Sequence, residues 1–183
     1  MNARDRLIDS MAQSLRSAGY HNTGLNQIVA DSGAPKGSMY HYFPGGKVAL
    51  AVAAVDHAAA QVAARIGEIL QAGLPPRAAL EAVIEFFATE MEASAFTKGC
   101  PVATITLEEA ATTPQIQAAC AAAYGAWHDG LAAFLEGHGV AEARTAAETF
   151  LMLLEGGLLL TRAQLDAAPL RRLKARLPLI LTP

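Results

Sequence analysis

Runs of β-branched residues are almost missing from this 183-residue chain, which argues against sheet. Cysteine is scarce: Cys100 and Cys120 lie in no CxxC pattern. Together with the lack of a recognisable signal peptide, this points to a reduced, cytoplasmic setting. His21, His41, His57, His128 and His138 have no ligand spacing with one another or with cysteine, so no metal is expected. No nucleophile–base pair, phosphate-cradling glycine loop or carboxylate dyad stands out, so neither an enzyme nor a cofactor is expected. The most apolar run, Phe150 to Leu160, is interrupted by Glu155 and is too short to cross a bilayer, so no membrane association is expected. There are no internal repeats and no low-complexity linker. The net charge of −3 argues against a general nucleic-acid coat protein.

What is present is alanine, leucine and helical periodicity, so an all-α fold of about nine helices is expected. Charge is uneven. Residues 1–47 carry five Lys and Arg against three Asp, a balance of +2, and residues 48–183 carry nine against fourteen, a balance of −5. A mildly basic N-terminal unit on an acidic body suits a small DNA footprint. The domains are therefore read as 1–47 and 48–183.

Ile8, Met11, Ala12 and Leu15 give the first helix one apolar stripe, and Gly19 stops it. Thr23 is a plausible N-cap for a second helix, which Gly33 ends with a left-handed backbone. Pro35 opens a third helix over Lys36 to Phe43. There Met39 and Phe43 point to the core, while Gly37 and His41, flanked by Ser38 and Tyr40, point away. Gly37 allows close approach to a duplex, and the others are donors for phosphates and base edges. Pro44-Gly45-Gly46 breaks the chain, and Lys47 at the start of a long fourth helix can meet a phosphate. Two short helices around a glycine turn have the shape of a helix-turn-helix DNA reader, with candidate contacts Thr23, Lys36, Gly37, Ser38, Tyr40, His41, Tyr42 and Lys47.

The stretch from Gln27 to Lys47, above all Lys-Gly-Ser-Met-Tyr-His-Tyr-Phe, resembles the DNA-binding domain of the TetR family of transcriptional repressors. Pro44-Gly45-Gly46-Lys47 and Gly99-Cys100-Pro101-Val102 are similar to the LmrA/YxaF-like branch. Val29 stands where many members have alanine, and Pro35 replaces a common serine cap.

The larger part begins after Gly73-Leu74-Pro75-Pro76, a helix stop followed by a proline start. Helices are expected over 76–93, 102–111, 114–136, 141–164 and 170–177. The helix holding Phe150 to Leu160 is apolar on more than one side and must be buried on both. A second copy of the chain is expected to cover one side, through Phe150, Leu154, Gly157 and Leu158, with the resemblance implying a four-helix interface; the alternative is a helix central to one subunit. The resemblance also implies a dimeric repressor on a palindromic operator, released by a small, largely apolar or aromatic effector. The effector would shift the sixth and fourth helices and move the readers apart. Candidate effector contacts are Phe87, Met91, Phe96, Thr104, Leu107, Glu108, Tyr124, Trp127 and Met152. Control by a protein partner, a redox response at Cys100, and a cofactor-binding all-α enzyme stay open as alternatives.

Overall fold

The computed structural model describes residues 1–181, and all regular structure among them is helical. The elements are α1 (Ala3–Ser17), α2 (Leu25–Ser32), α3 (Ser38–Tyr42), α4 (Gly46–Leu70), α5 (Pro76–Ala93), α6 (Pro101–Glu109), α7 (Pro114–Gly137), α8 (Ala143–Gln164), α9 (Ala168–Arg172) and α10 (Leu177–Ile180). A 3-10 turn, Leu173–Arg176, joins the last two, so the expected ninth helix is three short pieces. The helices gather into two compact units. Unit 1 holds residues 1–61 and 100–123, and unit 2 holds 62–99 and 124–183. Both α4 and α7 contribute residues to each.

Unit 1 is built on α1. Asn2 caps the helix, its Oδ1 accepting from the Asp5 amide at 2.9 Å. Leu7, Met11 and Leu15 have no exposed surface, and Ile8 and Ala12 are buried beside them. Ile28 of α2, Met39 of α3, Leu50, Ala54 and Val55 of α4, and Val102 and Ile105 of α6 complete this core. Gly33 ends α2 at φ 60°, the left-handed conformation expected there. The carbonyls left open at that end are met by Arg6, whose Nε donates to the Ser32 carbonyl at 2.9 Å and whose Nη2 reaches that of Gly33 at 3.4 Å. A cation at a helix C-terminus also offsets the dipole.

The third helix is shorter than expected. Pro35, Lys36 and Gly37 form a turn, closed by the Ser38 amide on the Pro35 carbonyl at 2.8 Å, and the helix proper starts at Ser38. Helix α4 is long and apolar enough to cross a membrane by length and composition alone. Its buried positions Leu50, Ala51, Ala54, Val55, Ala58 and Ala59 instead recur at helical spacing in the core of unit 1.

Unit 2 packs α5, α8, α9 and α10 around Leu80, Ile84, Phe150, Leu154, Leu170 and Leu177. Phe150, Leu154, Gly157 and Leu158, the residues expected to meet a second copy, are all buried within the chain. Gly157 shows why: a Cβ there would lie 2.9 Å from Leu170 Cδ2 and 3.0 Å from Leu173 Cδ1. Its missing side chain lets the C-terminal segment approach α8. The apolar residues of α8 left open are Met152, Leu159 and Leu160, at 62%, 64% and 53% exposure.

The same segment is tied to α5 by charge. Arg171 binds Glu85 at 2.8 Å and Glu92 at 2.6 Å, and Lys174 binds Glu85 at 2.6 Å. Hydrogen bonds from Arg171 and Lys174 draw the Glu85 carboxyl down to about 2. A carboxylate with a depressed folded-state pKa stabilises the fold above its ordinary value, and that contribution is lost as pH falls through the depressed one. Replacing Arg171 with Ala is expected to flatten the acid limb of stability between about pH 4.5 and about pH 2. Melting temperatures of wild type and R171A at pH 5 and pH 3 check this: the gap between the proteins should be wider at pH 5.

Candidate DNA-binding surface and effector cavity

On α3 the inward and outward faces separate as the spacing requires. Met39 and Phe43 are 1% and 4% exposed. Lys36, Gly37, Tyr40 and His41 are exposed and Ser38 is half-exposed. Tyr42 is partly exposed and sets its ring edge-on to His41, with centroids 4.9 Å apart. This outward face gathers an ammonium, two phenols, an imidazole and a hydroxyl around a glycine whose Cβ position is open. Those groups can donate to phosphate oxygens and base edges.

Thr23 and Lys47 lie differently. Thr23 is buried, and its Oγ1 donates to the Gly19 carbonyl at 2.6 Å. The N-cap of α2 is Gly24, and Thr23 belongs to the packing of the α1–α2 connector and not to the reading face. Lys47 is half-buried. Its Nζ donates to the Tyr20 carbonyl at 2.6 Å and lies 4.2 Å from the centre of the Tyr20 ring. Burial lowers its pKa, opposed by the attraction of Glu109 and Glu108. Burial and then Glu109 raise that of the Tyr20 phenol.

A separate cavity of about 420 Å³ lies within unit 2, between the C-terminal part of α4 and α7. Ile66, Gly67 and Leu70 of α4 line it with Gln71 just beyond that helix, and Trp127, Gly130, Leu131 and Phe134 line it from α7. Gln71 is its one polar side chain beside the indole of Trp127. Tyr124 braces Trp127 edge-on, centroids 5.4 Å apart. The lining is thus largely apolar and carries no charged side chain, with an amide at Gln71.

Of the nine residues expected at an effector, Trp127 lines this cavity. Phe87 is half-buried, edge-on to Phe86, and Met91 is in the core. Phe96 follows α5 with a left-handed backbone at φ 60°. The Thr104 hydroxyl donates to the Cys100 carbonyl at 3.1 Å. Leu107 and Met152 are 82% and 62% exposed and do not line this cavity. Glu108 binds the Tyr20 amide. The α4 wall was missed by sequence reasoning, although Gly67 and Gly130 inside otherwise regular helices were a usable signal. Cys100 is half-buried, and its Sγ accepts from the Ala103 amide at 3.4 Å as the N-cap of α6. Cys120 is buried, and burial raises its pKa.

An exposed short helix behind a left-handed glycine turn, seated on the buried face of α1, defines a helix-turn-helix DNA-binding regulator. Comparison with known proteins agrees. Residues 7–54 match the bacterial regulatory proteins of the tetR family, and residues 76–176 match the C-terminal domain of LmrA/YxaF-like transcriptional regulators. The chain is 31% identical over 181 residues to the HTH-type transcriptional regulator YxaF of Bacillus subtilis (strain 168), covering 98% of this chain and 95% of that one. It is 29% identical to the HTH-type transcriptional regulator LmrA of the same organism, over 97% of this chain and 95% of that one. The crystal structure of a regulatory protein TetR from Rhodobacter sphaeroides superposes with a TM-score of 0.86 at 25% identity, covering 98% and 99% of the two chains. The chain belongs to the TetR family of transcriptional regulators, in its LmrA/YxaF-like branch, and is not an enzyme.

Because the Thr23 hydroxyl serves the connector, Thr23→Val is expected to cost about 1–2 kcal/mol of stability through the lost buried hydrogen bond. The salt dependence of DNA binding should not change. Thermal unfolding and affinity titrations at several salt concentrations measure the two effects separately.

Proposed function

We propose that the protein is a cytoplasmic repressor that binds a palindromic operator as a homodimer and leaves it when a small, flat, largely apolar or aromatic effector binds. The exposed α3 face carries this reading, because its donors surround an open glycine while Met39 and Phe43 anchor it from behind. Lys36, Gly37, Ser38, Tyr40, His41 and Tyr42 contact the duplex, and Lys47 steadies the connector at Tyr20. One such helix spans few base pairs. Two related by a two-fold, roughly 34–36 Å apart, fit successive major grooves.

The dimer forms through the open face of α8, at Met152, Leu159 and Leu160, with the alanine-rich outer face of α7. Three large apolar side chains more than half exposed on one helix favour a covering partner. The effector enters the α4–α7 cavity, where the Trp127 ring offers a stacking face and Gln71 one polar contact. Helix α4 is a continuous element that carries cavity residues near one end and Lys47 at the other. An effector shifts the protein toward its low-affinity state only by binding that state more tightly.

Selection of duplexes from a random pool tests the reading directly. A palindromic consensus is expected, bound two chains to one duplex; equal affinity for the consensus and its scrambled sequence would overturn it. Lys36→Ala should weaken all duplexes alike and reduce the salt slope by about 1, as loss of one phosphate contact does. The chain has a single tryptophan, so its fluorescence reports on Trp127 alone. A flat aromatic compound that releases the selected duplex should quench it, and Gly130→Leu should abolish both effects.

A further inference from the structure

Two carboxylates stand at the end of α6 where a helix least tolerates them. Glu108 and Glu109 are its last residues, facing the negative end of the helix dipole. Both are drawn out of solvent, Glu109 to 8% exposure and Glu108 to a half-buried position. Such an arrangement persists only where partners offset it: the partner of Glu108 comes from the reader, and those of Glu109 come from the reader and from the α6–α7 connector. Glu108 Oε2 accepts the backbone N–H of Tyr20, a residue 88 positions away. Glu109 Oε2 accepts from the Thr113 hydroxyl at 2.6 Å, and its Oε1 lies 3.2 Å from Nε2 of His21.

The chain is also shaped around the Glu108 carboxylate. Gly19 has φ 80°, and a Cβ there would lie 2.6 Å and 2.8 Å from the two Glu108 oxygens. Any other residue at this position would be strained and would expel the carboxylate. The connector between α1 and α2 is therefore gripped at both backbone polar groups of one residue: Glu108 holds the Tyr20 amide, and Lys47 holds the Tyr20 carbonyl.

We propose that Glu108 is a positioning residue for DNA reading: from the end of α6 it holds the α1–α2 connector and so sets the orientation in which α2 and α3 meet the duplex. Glu108 touches no nucleic acid. Its effect falls on base readout, which depends on the register of α3, and not on phosphate attraction, which depends on charge.

The test uses the full chain and the duplex that the wild-type protein selects from a random pool. Glu108→Ala should weaken that duplex about tenfold, equivalent to about 1.4 kcal/mol, and leave a scrambled duplex unchanged. Glu108→Gln keeps an acceptor oxygen for the Tyr20 amide and should restore most of the lost affinity. Gly19→Ala should weaken the selected duplex at least as much as Glu108→Ala, through backbone strain as well as the lost contact, and adding Glu108→Ala to it should cost little more. Wild-type affinity in E108A, equal weakening of selected and scrambled duplexes, or additive losses would each overturn the proposal. Amide hydrogen exchange on the wild-type protein gives a check independent of any variant's folding. Tyr20 N–H should exchange far more slowly than an open connector amide, and fast exchange would remove the contact on which the proposal stands. A wild-type protein that selects no duplex would overturn the operator reading alone, and the Tyr20 amide would then decide the Glu108 contact.

Discussion

Leu7, Met11 and Leu15 present no surface to solvent, and α2, α3 and α6 all pack against the helix that carries them. Burial of three such side chains is worth several kcal/mol, roughly 1.5–3 each. The placement of α3 follows from it. Met39 and Phe43 complete the same core, and a helix of five residues has little stability of its own. Its outward face exists because its inward face is pinned. The polar contacts then act on a frame already fixed by apolar packing: Arg6 at the end of α2, and Lys47 and Glu108 on the connector.

Local rules carried much of this fold. The spacing of Met39 and Phe43 against Tyr40 and His41 separates a buried from an exposed face, and Gly33 takes the left-handed backbone its place after α2 requires. Pro76 and Pro114 open their helices as proline at a first turn should. Where the reading departed, a competing contact was non-local. Thr23 looks like an N-cap, but its hydroxyl turns back to Gly19 and leaves the cap to Gly24. Lys47 looks like a phosphate contact, and its ammonium rests on Tyr20. Glu108 looks like a pocket residue, but its partner is 88 positions away, a distance no periodicity encodes.

Helix α8 is the sharper lesson. Phe150, Leu151, Leu154 and Leu158 are apolar, and so are Met152, Leu159 and Leu160. Composition identifies a helix with two greasy sides but does not say which side its own chain covers. That choice is made by α9 and the turn after it, which close on Gly157. The α4–α7 cavity follows the same logic. Its walls are set by two glycines, Gly67 and Gly130, where side chains are missing, and aromatic residues alone did not point to α4.

Unit 1 is discontinuous in the chain, and this bears on its order of synthesis. The reader leaves the ribosome before Val102, Ile105 and Ile116, which close its core. Until they emerge, the apolar stripe of α1 has only part of its cover. Complete packing of the N-terminal reader therefore waits for chain made much later, and a nascent fragment ending before α6 is exposed to misassociation. A regulator built this way presents a finished DNA-reading surface only after α6 and the first part of α7 have been made.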